Sequence, residues 1–307
     1  MKIELYTNKS ASACIKAAYT LLVLNFKTTI KRLWLPALVN AALSTLLFLL
    51  YLPDKTFNEI GHSHPIIALL LIAGCYVLTA AANIWFTAAI ASLLNGKRLS
   101  QNMPRAIVLV GIGFIIMSIG AYIINFGASL FGSLLSYSHI ASPERAVVAG
   151  YVISVVMLLL LCIFTLPLTF SSIRYQIDHK TRATEIFRRG YKMGFRHWGF
   201  LFVTYFVATL LTFAACFIAF IPLLITTLSQ TLNQLGMLNG DPSGVPGYFI
   251  YLLVATSLIT MYILCFIGVW MFFISYYIYG SVEVKERAAK MAKPFAKSPD
   301  GKLKTHG

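Results

Sequence analysis

The chain has 307 residues, 58% of them hydrophobic and only 11% charged, and it carries a formal net charge of +15. A soluble domain holds about 45–50% apolar and about 25% charged residues, so polar side chains here cannot cover the apolar surface. A soluble fold, a disordered chain and a disulfide scaffold are excluded, and a polytopic membrane protein remains.

Residues 1–32 form a basic, amphipathic N-terminal segment with Lys2, Lys9, Lys16, Lys27, Lys31 and Arg32. Between Ser10 and Ile30 it mixes Leu21, Leu24 and Phe26 with lysines, the pattern of a helix lying in the membrane interface. The first long apolar run follows more than thirty residues and six cations, which argues against a cleaved leader.

A spanning helix needs about 20 apolar residues to cross hydrocarbon about 30 Å thick. Six runs free of Asp, Glu, Lys and Arg meet that length, at 33–52, 65–94, 106–135, 146–173, 199–229 and 248–278. Unbroken runs such as Val155 to Leu161 do not alternate, which excludes a membrane β-barrel. The expected fold is all-α: six transmembrane helices as three hairpins, with basic interfacial segments and both termini cytoplasmic. A basic cytoplasmic tail over 279–307 begins as a short helix from Glu283 to Lys293 and loses order after Pro294.

Orientation rests on charge. Of 25 Lys and Arg residues, 23 fall in the N-terminal segment, the second and fourth connections and the tail. Only Lys55 and Arg145 fall on the other side, so the positive-inside rule places both termini in the cytoplasm. The same cations sit beside the spans, where anionic lipid attracts each by about 1 kcal/mol, and nucleic acid is not expected as a partner. Arg188, Arg189, Lys192 and Arg196 follow helical spacing next to Phe187, Tyr191, Phe195 and Trp198, and are the candidates for anionic-lipid contact. Gly190 and Gly194 weaken that helix.

Within the spans, Ala106, Gly113, Gly120 and Gly127 recur every seven residues as a helix-packing seam. Trp34, Trp198 and Trp270 near span ends, with Tyr276, Tyr277 and Tyr279, suggest an aromatic belt. Units one and three share Arg32-Leu33-Trp34 and Arg196-His197-Trp198, then Val39, Thr45, Leu46 and Leu47 against Val203, Thr209, Leu210 and Leu211, all at a spacing of 164. Leu-rich helices produce such matches by chance, and a true repeat would be one of parallel hairpins.

The spans hold no Asp, Glu, Lys, Arg or His, which argues against proton-coupled pumping and voltage sensing. Their polar candidates are Asn40, Asn83 and Asn125, able to bridge helices or to line a route for a neutral solute. His62-Ser63-His64 and His139 have spacing a metal could use, but nothing fixes their distance, so no metal or cofactor is expected. Five cysteines without a CxxC pair read as small apolar residues. No phosphate-binding loop, zinc-protease motif or nucleophile elbow occurs, and Phe131 stands where an elbow after Gly127-Ala128-Ser129 would need glycine.

The expectation is a non-enzymatic component of a cell membrane, by its short loops a bacterial inner membrane. It would bind lipid, a protein partner or a second copy of itself, assisting assembly, transport or envelope homeostasis. A permease for a neutral or amphipathic solute, or the membrane subunit of an export complex with a separate ATPase, is the alternative.

Overall fold

The computed structural model describes residues 5–52, 64–138, 142–240 and 244–292. Among them the regular structure is helical and no strand occurs. Six helices are long and apolar enough to cross a membrane, the mark of a multi-pass membrane protein.

Ser10 caps the first helix, α1 (Ala11–Leu24), by accepting from the backbone N–H of Ala13. The chain kinks at Asn25 into α2 (Phe26–Leu50), which carries Pro36. Then α3 (Pro65–Asn95) starts on proline and stops at Gly96, whose φ of 67° is the left-handed conformation that glycine supplies at a helix end. The third crossing is one continuous run: α4 (Leu99–Tyr122), a π turn (Ile123–Gly127) and α5 (Ala128–Tyr137). After it comes α6 (Pro143–Ile177). A 3-10 turn (Ala183–Glu185), a π turn (Ile186–Gly190) and the short α7 (Tyr191–Arg196) lead to a second kink at His197. The last crossings are α8 (Trp198–Leu238) and α9 (Phe249–Ala292).

The helix α9 is the central strut, packing against α1, α2, α6 and α8. At about 1.5 Å per residue its 44 residues extend about 66 Å, well past the hydrocarbon. The short helix expected from Glu283 is therefore the last part of the sixth crossing. Residues 293–307, where the tail was expected to lose order, lie outside the described residues.

Close packing concentrates at the end of the bundle where Lys and Arg gather, here called the basic end. Phe273, Ile274, Ile278 and Val282 of α9 are fully buried there, against Leu33, Phe170 and Leu201 of neighbouring helices. The chain before α1 docks on the same place: Ser281 Oγ donates to the Lys9 carbonyl and accepts from the Lys9 N–H, at 3.0 and 3.1 Å. Tyr276, Tyr277 and Tyr279 are also buried, and Tyr279 meets the Tyr6 ring edge-on at 6.4 Å. These tyrosines are core, not belt. Chain preceding the first crossing covers them, and hydropathy around the sixth could not reveal it. Trp34 does remain half exposed, as a belt residue should.

The seven-residue seam divides in the structure. Ala106 is fully buried, and a Cβ on Gly127 would lie 2.6 Å from Ser154 Oγ of α6. On Gly120 it would only touch Leu161, and on Gly113 it would meet nothing within 4 Å. A straight helix drifts about 20° per seven residues, and the π turn shifts the stripe again, so one row cannot face one partner throughout. A close backbone-to-backbone approach outside the seam joins Gly132 of α5 to Gly150 of α6, where a Cβ on Gly150 would stand 2.9 Å from the Gly132 nitrogen. Ala146, Gly150 and Ser154, four residues apart, carried the signal for it.

The two kinks share a backbone geometry, with φ and ψ of −110° and 21° at Asn25 and −103° and 25° at His197. They do not lie 164 residues apart: that spacing sets Leu33, inside α2, opposite His197. The sequence match is about two helical turns out of step with the kinks.

Candidate functional site

At the basic end the chain leaves α6 through Asp178, whose Oδ1 accepts from the Lys180 N–H at 3.0 Å. Ser171 Oγ of α6 donates to the Ile186 carbonyl at 2.6 Å and holds the following π turn against the bundle. Gly190 and Gly194 complete that contact. A Cβ on Gly194 would lie 3.0 Å from the Pro167 backbone, and one on Gly190 would strike Ser171 Oγ. The glycines that weaken the helix in isolation are therefore what seats it on α6. Ile186 and Met193 are buried with them, while Phe187 and Phe195 stay exposed. Trp198 lies beyond the kink, in α8, so it does not continue that aromatic face.

This seating leaves Arg188, Arg189, Lys192 and Arg196 exposed. Three of the four, Arg189, Lys192 and Arg196, line a pocket of about 210 Å³ with Glu286 and Lys290 of α9. Arg188 is outside it. Lys290 is the cation that sequence reasoning missed, because the tail was read as separate from the last crossing.

Four cations thus face one carboxylate. Glu286 is 4% exposed, and both its oxygens accept from Arg196 Nη1 at 2.9 Å. Oε1 also lies 3.1 Å from His197 Nε2, which must carry the proton because a carboxylate only accepts. Arg196 is thereby committed to Glu286, whereas Arg189, Lys192 and Lys290 form no ion pair with any described residue. A second carboxylate, Glu283, pairs with Arg174 of α6 at 3.0 Å and with Arg287 at 3.9 Å. Nearby, Lys285 lies 3.6 Å from the centre of the Phe200 ring.

A second polar cluster closes the same end. Arg105 of α4 donates to the carbonyls of Tyr175, Asp178, His179 and Thr181, capping α6 with a cation where the helix dipole favours one. Asn102, fully buried, donates to Ser92 Oγ at 2.9 Å and accepts from Asn95 at 2.9 Å. His179 Nε2 touches Asn102 Oδ1 at 3.2 Å and Asn95 Nδ2 at 3.3 Å. Burial, then Arg105 and Lys97, hold its imidazole below the ordinary value, with Asp178 opposing.

Within the spans the three asparagines do not converge. Asn40 Nδ2 of α2 donates to Asn83 Oδ1 of α3 at 3.3 Å and lies 3.6 Å from Cys265 Sγ of α9, while Asn83 Nδ2 donates to the Thr79 carbonyl. Asn125 sits in the π turn, exposed, and donates only to the Ala121 carbonyl at 2.7 Å. Hydropathy fixes the depth of a residue along its helix but not the direction it faces, and the π turn rotates Asn125 further. Asn83 lines a groove of about 690 Å³ between α2, α3 and α4.

Among the described residues no group of three or more His, Cys, Asp or Glu side chains could hold a metal. His62, Ser63 and His139 lie outside them. No family model, no curated protein and no solved structure matches this chain.

Proposed function

We propose that this protein is a non-enzymatic membrane component whose basic, cytoplasmic end binds anionic lipid. The observation that carries the reading is the pocket in which Arg189, Lys192 and Arg196 of the α7 region meet Lys290 of α9. Three of its cations lack a carboxylate partner, and its walls project from helices that reach the membrane. An anionic headgroup supplies the missing charge, with about 1 kcal/mol per basic residue at a lipid surface.

Orientation follows from the charges. Of the 25 cations, 23 fall in sequence segments that the positive-inside rule assigns to one side, which favours both termini in the cytoplasm, and the short loops suit a bacterial inner membrane. Consecutive crossings pack on one another, α2 on α3, α5 on α6 and α8 on α9, which supports three hairpins. The segment from Ile186 to Arg196, with Phe187 and Phe195 exposed beside its cations, suits an interfacial position. The permease alternative loses ground because Asn125 stands apart from Asn40 and Asn83. A role in assembly, transport or envelope homeostasis, through a protein partner or a second copy, fits a lipid-anchored hub without catalytic groups.

The test is native mass spectrometry of protein in mixed micelles containing phosphatidylglycerol and phosphatidylcholine. The wild type should retain phosphatidylglycerol selectively. Arg189→Ala, Lys192→Ala and Lys290→Ala together should weaken that retention about a hundredfold, from the loss of three cations. Equal retention of the two lipids by the wild type would sink the reading.

A further inference from the structure

The groove between α2, α3 and α4 is a different site, at a different depth. It is lined by Leu47 of α2, Tyr76 and Asn83 of α3, and Gly113, Phe114 and Ser118 of α4. Asn83 lies twelve residues before the end of the 31-residue α3, about 18 Å along the helix from that end and close to its middle. Tyr76 and Ser118 lie nearer the opposite surface, where the Tyr76 hydroxyl meets that of Tyr51 at 2.8 Å. The groove therefore runs from mid-membrane toward the less basic side.

Its polar groups are incompletely paired. Asn83 accepts from Asn40 and donates one N–H to Thr79, and its second amide N–H finds no acceptor among the described residues. The Ser118 hydroxyl is exposed and makes no hydrogen bond with any described residue. In hydrocarbon no water answers such groups, so a membrane protein normally satisfies them internally. Gly113 points the same way. It was placed in a packing seam, yet nothing lies within 4 Å of where its Cβ would be. Its missing side chain leaves room in the groove instead of admitting a neighbouring helix.

No ionisable group except the Tyr76 phenol lines this space, and the paired asparagines sit where a charged headgroup is expensive. A phospholipid keeps its phosphate at the surface and cannot offer a hydrogen-bonding group at that depth. An uncharged lipid alcohol can. We propose that this groove binds an uncharged, hydroxyl-bearing lipid of the acylglycerol class. Its hydroxyl exchanges hydrogen bonds with Asn83 or Ser118, and its chains lie along Leu47 and Phe114. The proposal is independent of the basic pocket, and neither reading stands or falls with the other.

The experiment places full-length protein in phosphatidylcholine nanodiscs with a photoactivatable diacylglycerol, and maps labelled residues by peptide mass spectrometry. Labelling should fall on α2, α3 and α4 around the groove, and unlabelled diacylglycerol should compete it away. Gly113→Leu fills the groove without displacing any neighbour and should abolish the labelling. Gly111→Leu, also with nothing within 4 Å but on another face of α4, should leave it intact and controls for folding. Ser118→Ala should weaken competition about threefold if its hydroxyl makes the bond, the effect of one net hydrogen bond. Labelling that spreads evenly over all crossings, or that Gly113→Leu and Gly111→Leu reduce equally, would overturn the proposal. Equally strong labelling by a photoactivatable phosphatidylcholine would overturn it as well.

Discussion

Arg196 and Glu286, ninety residues apart in sequence, meet through a single guanidinium nitrogen 2.9 Å from both carboxylate oxygens. The pair joins the kink before α8 to the far part of α9, and only its acidic half is buried. Removing one partner of a fully buried ion pair costs about 3–5 kcal/mol. Half of Arg196 faces solvent, which screens the pair, and His197 still bonds Glu286, so the effect falls well below that range. Arg196→Ala should therefore lower the thermal midpoint of the purified protein. Adding Glu286→Gln should restore part of the loss, since no uncompensated carboxylate then remains. A double variant less stable than Arg196→Ala alone would contradict this account.

Within the basic pocket, the position of each cation should count more than its charge. Lys290→Ala should weaken phosphatidylglycerol retention about as much as Lys192→Ala, roughly fivefold each. Arg188→Ala, on the same segment but outside the pocket, should matter less. All three differences should shrink as salt rises, because exposed charges are screened over about 8–10 Å at physiological ionic strength. Titrating the three variants by native mass spectrometry at two salt concentrations separates a pocket from a diffuse basic surface.

The glycines that seat α7 should resist substitution. Gly194→Ala drives a methyl group against the Pro167 backbone, and Gly190→Ala drives one against Ser171. Overpacking of this kind costs about 1–3 kcal/mol. Gly199→Ala, in α8 where nothing lies within 4 Å, should be neutral or stabilise by about 0.5 kcal/mol through helix propensity. Thermal unfolding in detergent reads all three.

The intramembrane asparagines should separate in the same assay. Asn40→Ala removes the bond to Asn83 and should cost about 0.6–2 kcal/mol, the range for interhelical polar contacts. Asn125→Ala breaks only a bond to its own helix and should change stability by less than about 0.5 kcal/mol.

The His179 cluster supplies a pH dependence. Its imidazole titrates below the ordinary value of 6.5 in the folded protein, so the unfolded chain binds the proton more readily. The resulting stabilisation is complete above about pH 6.5 and is lost as pH falls through the lower folded value. Substituting Gln for His179 should flatten the acid limb of a plot of thermal midpoint against pH. A limb that keeps its slope in the variant would assign the dependence to other groups.

The six crossings and the one-sided charge were legible in the sequence because hydropathy and Lys/Arg placement act directly along the chain. Direction was not. A helix apolar on every side, such as α3, gives no sign of which residues meet a neighbour, so Asn83 found Asn40 while Asn125 found neither. Three of the four cations singled out by spacing do share a pocket, because helical periodicity is local information. Lys290 escaped because charge begins near residue 283 and suggests a new segment, although the backbone continues unbroken. Gly190 and Gly194 misled for a related reason: propensity counts what a glycine loses in an isolated helix and cannot see the surface it lets another helix approach.

Of the crossings, α2, α4, α6 and α8 each contain an internal proline, whereas α9 has none and passes from Phe249 to Ala292 without a break. The basic end of that rod is clamped by two carboxylates, Glu283 to Arg174 of α6 and Glu286 to Arg196. Toward its other end, Thr256 meets the Thr226 hydroxyl and Thr260 donates to the Ala219 carbonyl, both of α8. One uninterrupted helix thus carries both sets of contacts, and neither can take an angle of its own.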